Sequence, residues 1–130
     1  MKKIINVVGA VIEQKNYILC ALRSPSMSLP LHWEFPGGKI KDSEYPEEAL
    51  IREINEELGC TIEVKWKISE TNENYDNVTI NLSTFFSEIK TGTPFAYEHE
   101  KIQWIHKREP NSLKWAPADI PTVEFITKNM

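Results

Sequence analysis

Residues 37–60 read GGKIKDSEYPEEALIREINEELGC, and the rest of the 130-residue chain is organised around them. The stretch opens on Gly37-Gly38, a pair that lets backbone bend sharply or approach another group closely. Pro46 suits the first turn of a helix and Gly59 suits the left-handed residue that stops one, so the spacing predicts a helix between them. On that helix Glu53, Glu56 and Glu57 stand at i, i+3 and i+4 and share a face. Like charges at this spacing repel and ask for a compensating partner. A hard divalent cation meets that need, because Mg²⁺ takes oxygen ligands from carboxylates and phosphates.

At about 100° per residue, Leu50, Ile51, Ile54 and Leu58 fall on one arc, with Glu53, Glu56 and Glu57 immediately beside it. The apolar stripe is expected to dock on a sheet, holding the carboxylates partly desolvated near the Gly37-Gly38 turn. Two carboxylates about 4 Å apart repel by roughly 4 kcal/mol at an effective dielectric of 20. Without a cation one of them would take up a proton. A solvated acidic helix face is the simpler reading of three glutamates alone. Arg52 directly before Glu53, Glu44 in the preceding loop and the upstream glycines weigh against it.

Working outward, the length suits one domain over residues 1–130, and the net charge of −4 argues against a basic surface for a nucleic-acid polymer. A polyphosphate would have to be recruited to such an acidic site through metal ions. Cys20 and Cys60 read as reduced core residues of a cytoplasmic protein. Met1-Lys2-Lys3 before Ile4–Ile12 superficially resembles a leader. Asn6 interrupts that run, however, and Glu13-Gln14-Lys15-Asn16 follows it, so a first strand is the better reading. No run is long enough to cross a bilayer.

That strand, Ile4–Glu13, is expected to be buried on both faces, with Tyr17–Leu22 as its partner and a Pro/Ser-rich loop over 24–31. Thr61–Ile68 alternates as a strand with one wet face, residues 72–77 read as a polar turn, and Val78–Ile89 reads as a long strand. Lys101–His106 is strand-like, 111–117 irregular, and Asp119 is placed to N-cap a final helix ending near Lys128. His32, His99 and His106 show no metal-ligand spacing and read as surface or edge residues. The whole is an α/β (α+β) arrangement, a mixed β-sheet between helices.

Gly38, Glu44, Arg52-Glu53-Ile54, Glu56-Glu57 and Gly59-Cys60 stand at the spacing of a complete Nudix box, and the chain resembles the Nudix hydrolases. Cys60 departs from the usual aliphatic residue, but a buried thiol is itself a small hydrophobe. Trp33-Glu34-Phe35-Pro36-Gly37-Gly38-Lys39 and Ala116-Pro117-Ala118-Asp119 extend the resemblance to the MutT branch. The resemblance implies an α/β/α sandwich and hydrolysis of a nucleoside triphosphate to monophosphate and pyrophosphate. The cofactor implied is Mg²⁺, with Mn²⁺ as a substitute. By the same resemblance Glu53, Glu56 and Glu57 are metal ligands, with a backbone carbonyl near Gly38, and Glu53 also orients or deprotonates water. Glu98 lies where relatives carry a further glutamate, ligand or base, with Glu100 its competitor.

Arg52 and Glu44 are implied to fix the box rotamers rather than to react. Arg23 and Lys39 are phosphate contacts or surface ion pairs, and Phe35 stacks on a base or packs in the core. Asp119 contacts a base, caps a helix, or does both. An oxidised purine triphosphate such as 8-oxo-dGTP and a CTP or modified dCTP both remain open as substrate; Ala-Pro-Ala-Asp-Ile-Pro at 116–121 favours the pyrimidine. An ADP-ribose hydrolase and a non-hydrolytic nucleotide-binding module are weaker alternatives. Either a monomer or a homodimer is compatible with this reading.

Overall fold

The computed structural model describes residues 2–130. Strand β1 (Lys3–Gln14) is the hub of a mixed seven-stranded sheet. On one side it runs parallel to β6 (Val78–Thr91), and β6 pairs antiparallel with β5 (Thr61–Asn74). On the other side Val7–Gly9 pairs antiparallel with β4 (Gly37–Lys39), and Glu13–Gln14 pairs with β2 (Tyr17–Leu22). β2 is flanked by the two-residue β3 (Trp33–Glu34) and by β7 (Lys101–His106). Helix α1 (Pro46–Leu58) follows β4, and α2 (Ile120–Asn129) closes the chain.

The period of two along β1 serves both helices. Val8, Ala10 and Ile12 pack with Leu50, Ile54 and Leu58 of α1, while Val11 packs with Val123 and Ile126 of α2. The layers are therefore helix, sheet, helix, as expected. Each fully buried Leu or Ile contributes roughly 1.5–3 kcal/mol of burial, so the α1 stripe anchors the acidic edge beside it. Pro46 begins α1, and Gly59 ends it in the left-handed region at φ 70° with its N–H on the Asn55 carbonyl.

Four expectations need correction. Ile51 is 38 % exposed and leaves the apolar arc to Ala49, which is fully buried. β1 is buried only from Val8 to Ile12; its first half lies open, with Ile5 and Val7 facing a cavity. β5 runs on through Asn72–Asn74, because Asn81 of β6 donates to Asn72 at 2.9 Å and to Glu70 at 3.0 Å across the strands. The turn is confined to Tyr75–Asn77, closed by Tyr75 N–H on the Val78 carbonyl. Finally, Asp119 stands at the N-terminus of α2, but its side chain does not cap the helix. It turns inward instead.

Candidate active site

The box residues converge where β4 meets α1. Gly37 and Gly38 are extended strand residues, and their lack of side chains matters for space. A Cβ on Gly38 would run into the Glu53 carboxylate, and one on Gly37 into the Val8 backbone carbonyl. The Gly37 N–H instead donates to Glu57 Oε1 at 3.2 Å. Glu57 is largely withdrawn from water. Burial first, then the charges of Glu53, Glu34 and Glu98, push its carboxyl up to about 8.

Arg52 organises the opposite flank. Its Nε and Nη2 donate to the two oxygens of Glu44 at 2.6 and 2.8 Å, Nη1 to Glu53 at 2.8 Å and to Glu56 at 3.3 Å. Nη2 also reaches the Lys39 carbonyl at 3.1 Å, so one guanidinium joins β4, the loop before the helix, and the helix. Glu44 further accepts the Lys41 N–H, and the Arg52 hydrogen bonds hold its carboxyl down near 2.

Beside these carboxylates lies a cavity of about 600 Å³, lined by Glu57, Gly38, Lys39, Arg23, Phe35 and Asp119 among others. Arg23 is not free: Nη1 pairs with Glu34 at 2.7 Å, while Nε and Nη2 hold the Ser28 carbonyl and hydroxyl at 2.6 and 3.0 Å. Phe35 is buried and packs on Trp115, ring centroids 4.7 Å apart, with one edge left to the cavity. Asp119 is enclosed at the far end, accepting the Phe35 N–H at 3.2 Å. Burial, with the nearby Glu34 charge, raises its carboxyl well above the ordinary range. Ile5, Val7, Ile80 and Leu82 give the cavity an apolar wall.

Glu98 sits on an exposed loop outside the cavity lining, yet close enough for its charge to act on Glu57. Two neighbours of the site were not singled out from the sequence. Glu34 lines the cavity and accepts from both Arg23 and His99. His99, read as a surface residue, is buried, its side chain only 1 % exposed. Its position between two glutamates hid it. The alternation Trp33-Glu34-Phe35 could have flagged Glu34, since it sends a charge to a different side from its buried neighbours.

A model described as the NUDIX domain matches residues 3–125. The chain belongs to the Nudix family. It is 35 % identical over 122 residues to the CTP pyrophosphohydrolase of Escherichia coli K12, covering 94 % of this chain and 90 % of that one. To the 8-oxo-dGTP diphosphatase of the same organism it is 29 % identical over 128 residues, covering 98 % and 99 %. A solution structure described as DNA mismatch repair protein MutT, from methicillin-resistant Staphylococcus aureus 252, superimposes with a TM-score of 0.83 at 48 % identity, over the full length of both chains. This is a MutT-like Nudix hydrolase.

Nudix hydrolases use divalent metal ions, and the donors here fit one. Glu53, Glu56 and Glu57 offer only hard oxygen ligands. Burial, with the charges of Glu53, Glu34 and Glu98, lifts the Glu57 carboxyl, and that negative charge is of the kind a dication relieves. Among the described residues no three His, Cys, Asp or Glu side chains are yet gathered into an ion cage. Glu53 and Glu56 are turned onto the Arg52 guanidinium.

Proposed function

We propose that this Nudix hydrolase is a cytoplasmic, Mg²⁺-dependent nucleoside triphosphate pyrophosphohydrolase that releases a nucleoside monophosphate and pyrophosphate. The observation that supports it is Glu57, half-buried against the Gly37 amide beside Glu53 and opening on a cavity of about 600 Å³. Glu53, Glu56 and Glu57, with the Gly38 carbonyl, would hold the ion, and Glu98, whose charge reaches Glu57, would join them or act as base. When bound, Mg²⁺ neutralises phosphate charge and lowers the pKa of a water. Glu53 or Glu98 would accept a proton from the attacking water, whose oxygen bonds to the β-phosphorus as the bond from that phosphorus to the α,β-bridging oxygen breaks and the monophosphate leaves.

The remaining residues orient the substrate. Lys39 meets phosphate oxygens, and Arg23, already braced by Glu34 and Ser28, presents a fixed guanidinium edge to them. Phe35 and Asp119 form the base end, where a protonated Asp119 can donate and its ionised form can only accept. Arg52 and Glu44 keep the ligand carboxylates in place without touching the substrate.

The preferred reading is a nucleotide-pool sanitising enzyme acting on an oxidised purine such as 8-oxo-dGTP. The 35 % identity to a CTP pyrophosphohydrolase favours a cytidine-type triphosphate as the second reading. Pyrophosphate release measured for 8-oxo-dGTP, dGTP, CTP and dCTP at millimolar Mg²⁺ separates them by kcat/KM. Release from none of the four would sink both. Glu53→Gln is expected to lose at least about 100-fold in kcat; activity near wild type would remove Glu53 from the mechanism.

A further inference from the structure

His99 is a buried polar group that the proposed chemistry leaves unused. Its loop is stitched to the site from both sides. Phe95 N–H donates to the Leu58 carbonyl at 2.9 Å, at the end of α1, and Tyr97 N–H is shared between the Phe95 carbonyl at 3.1 Å and the Glu57 carbonyl at 3.4 Å. Glu100 N–H donates to the Leu22 carbonyl at 2.9 Å, at the end of β2. Between these anchors Glu98 is exposed and His99 points inward, its Nε2 2.8 Å from Glu34 Oε2.

A carboxylate accepts only, so Nε2–H is the donor in this bond. Nδ1 is then left buried, with no partner among the described residues. A loop that needed only anchoring would be held at no such cost by an apolar side chain. The directed bond to Glu34 is therefore what this position supplies. Glu34's other oxygen holds Arg23, and Arg23 holds Ser28, so the 24–31 and 95–100 loops meet on one carboxylate.

Resting on the hydrolytic reading above, we propose that His99 is a positioning residue. Through its bond to Glu34 it sets the Glu98 loop against the carboxylates of α1. His99 touches no substrate. It acts through its chain neighbour Glu98, and Glu34 keeps that loop in register with the cavity wall.

The test compares wild type, His99→Phe, His99→Asn, His99→Gln, Glu98→Gln and the His99→Phe/Glu98→Gln double variant. The readouts are steady-state hydrolysis and amide hydrogen exchange at Tyr97 and Glu100. Gln can present a donor where Nε2 stands, whereas Asn is too short to reach, and its small size is tolerated if the Phe variant does not fold. His99→Phe and His99→Asn are expected to lower kcat about 10–100-fold with KM changed less than about threefold. His99→Gln should recover most of that loss. In the Glu98→Gln background His99→Phe should add less than about twofold. Exchange at both amides should accelerate in the Phe and Asn variants and stay slow in the Gln variant. Equal activity in Gln and Asn variants, multiplicative losses in the double variant, or unchanged exchange would each overturn the proposal. If wild type releases no pyrophosphate, the hydrolytic reading fails, and the exchange arm still decides whether His99 sets the loop.

Discussion

The amide of Gly37 donates to the carboxylate of Glu57 across twenty residues of chain, tying the glycine strand to the last turn of α1. That one hydrogen bond lowers the Glu57 pKa, but burial and three neighbouring carboxylates outweigh it and the group ends near 8. The folded value lies above the ordinary 4.5, so the stability Glu57 contributes is complete below about pH 4.5. It drains away as pH rises through 8. In chelator the melting temperature is expected to fall between pH 5 and 8, less steeply in Glu57→Gln. Millimolar Mg²⁺ at pH 8 should raise the wild-type Tm by about 5 °C and barely move Glu57→Gln. An equal Mg²⁺ shift in both proteins would remove Glu57 from the ligand set.

Gly38 and Gly37 are adjacent but are expected to fail differently. A methyl on Gly38 meets the movable end of Glu53, so Gly38→Ala should fold, displace that carboxylate and lose about 10–100-fold in kcat. A methyl on Gly37 meets the β1 backbone at Val8, which cannot yield, so Gly37→Ala should cost about 2–4 kcal/mol in stability. Thermal unfolding and kinetics on both variants check this. The same phenotype in each would contradict it.

Arg52 braces three carboxylates from one fork. Lysine keeps the charge but not the planar set of donors. Arg52→Lys is expected to drop kcat at least about tenfold while KM for the nucleotide changes little. A loss confined to KM would mean that Arg52 meets the substrate directly.

Asp119 titrates in the same sense as Glu57 but in a different place. Its folded pKa is raised, so its contribution is whole below about pH 3.8 and is lost as pH rises above it. Asp119→Asn keeps an acceptor for the Phe35 N–H and carries no proton to lose. Relative to wild type its stability should rise on going from pH 4 to pH 7.5. Parallel stability curves for the two proteins would show that Asp119 is not held as the acid.

The α1 stretch was legible because it depends on local rules: a proline start, a glycine stop, a stripe and an acidic margin fall within 23 residues. Ile51 was misplaced because helical projection does not say how wide the sheet contact is. The polar run at 72–74 was misread as a turn because its stability comes from Asn81 on the neighbouring strand, a partner no local pattern reveals. Asp119 and His99 were obscured for the same reason. Each has its decisive partner, Phe35 or Glu34, more than sixty residues away. Periodicity reports which face a side chain takes, and not what waits on that face.

The Asp119–Phe35 bond spans 84 positions and closes the far end of the cavity. Loop-closure entropy makes so distant a contact late to form, whereas the carboxylate edge of α1 meets β4 within a few turns of chain. As the polypeptide emerges during synthesis, its acidic centre can assemble well before its last twenty residues arrive. That same segment carries Val123 and Ile126, which pack with Val11 on one face of the sheet, so trimming it would uncover that face as well as open the end of the cavity.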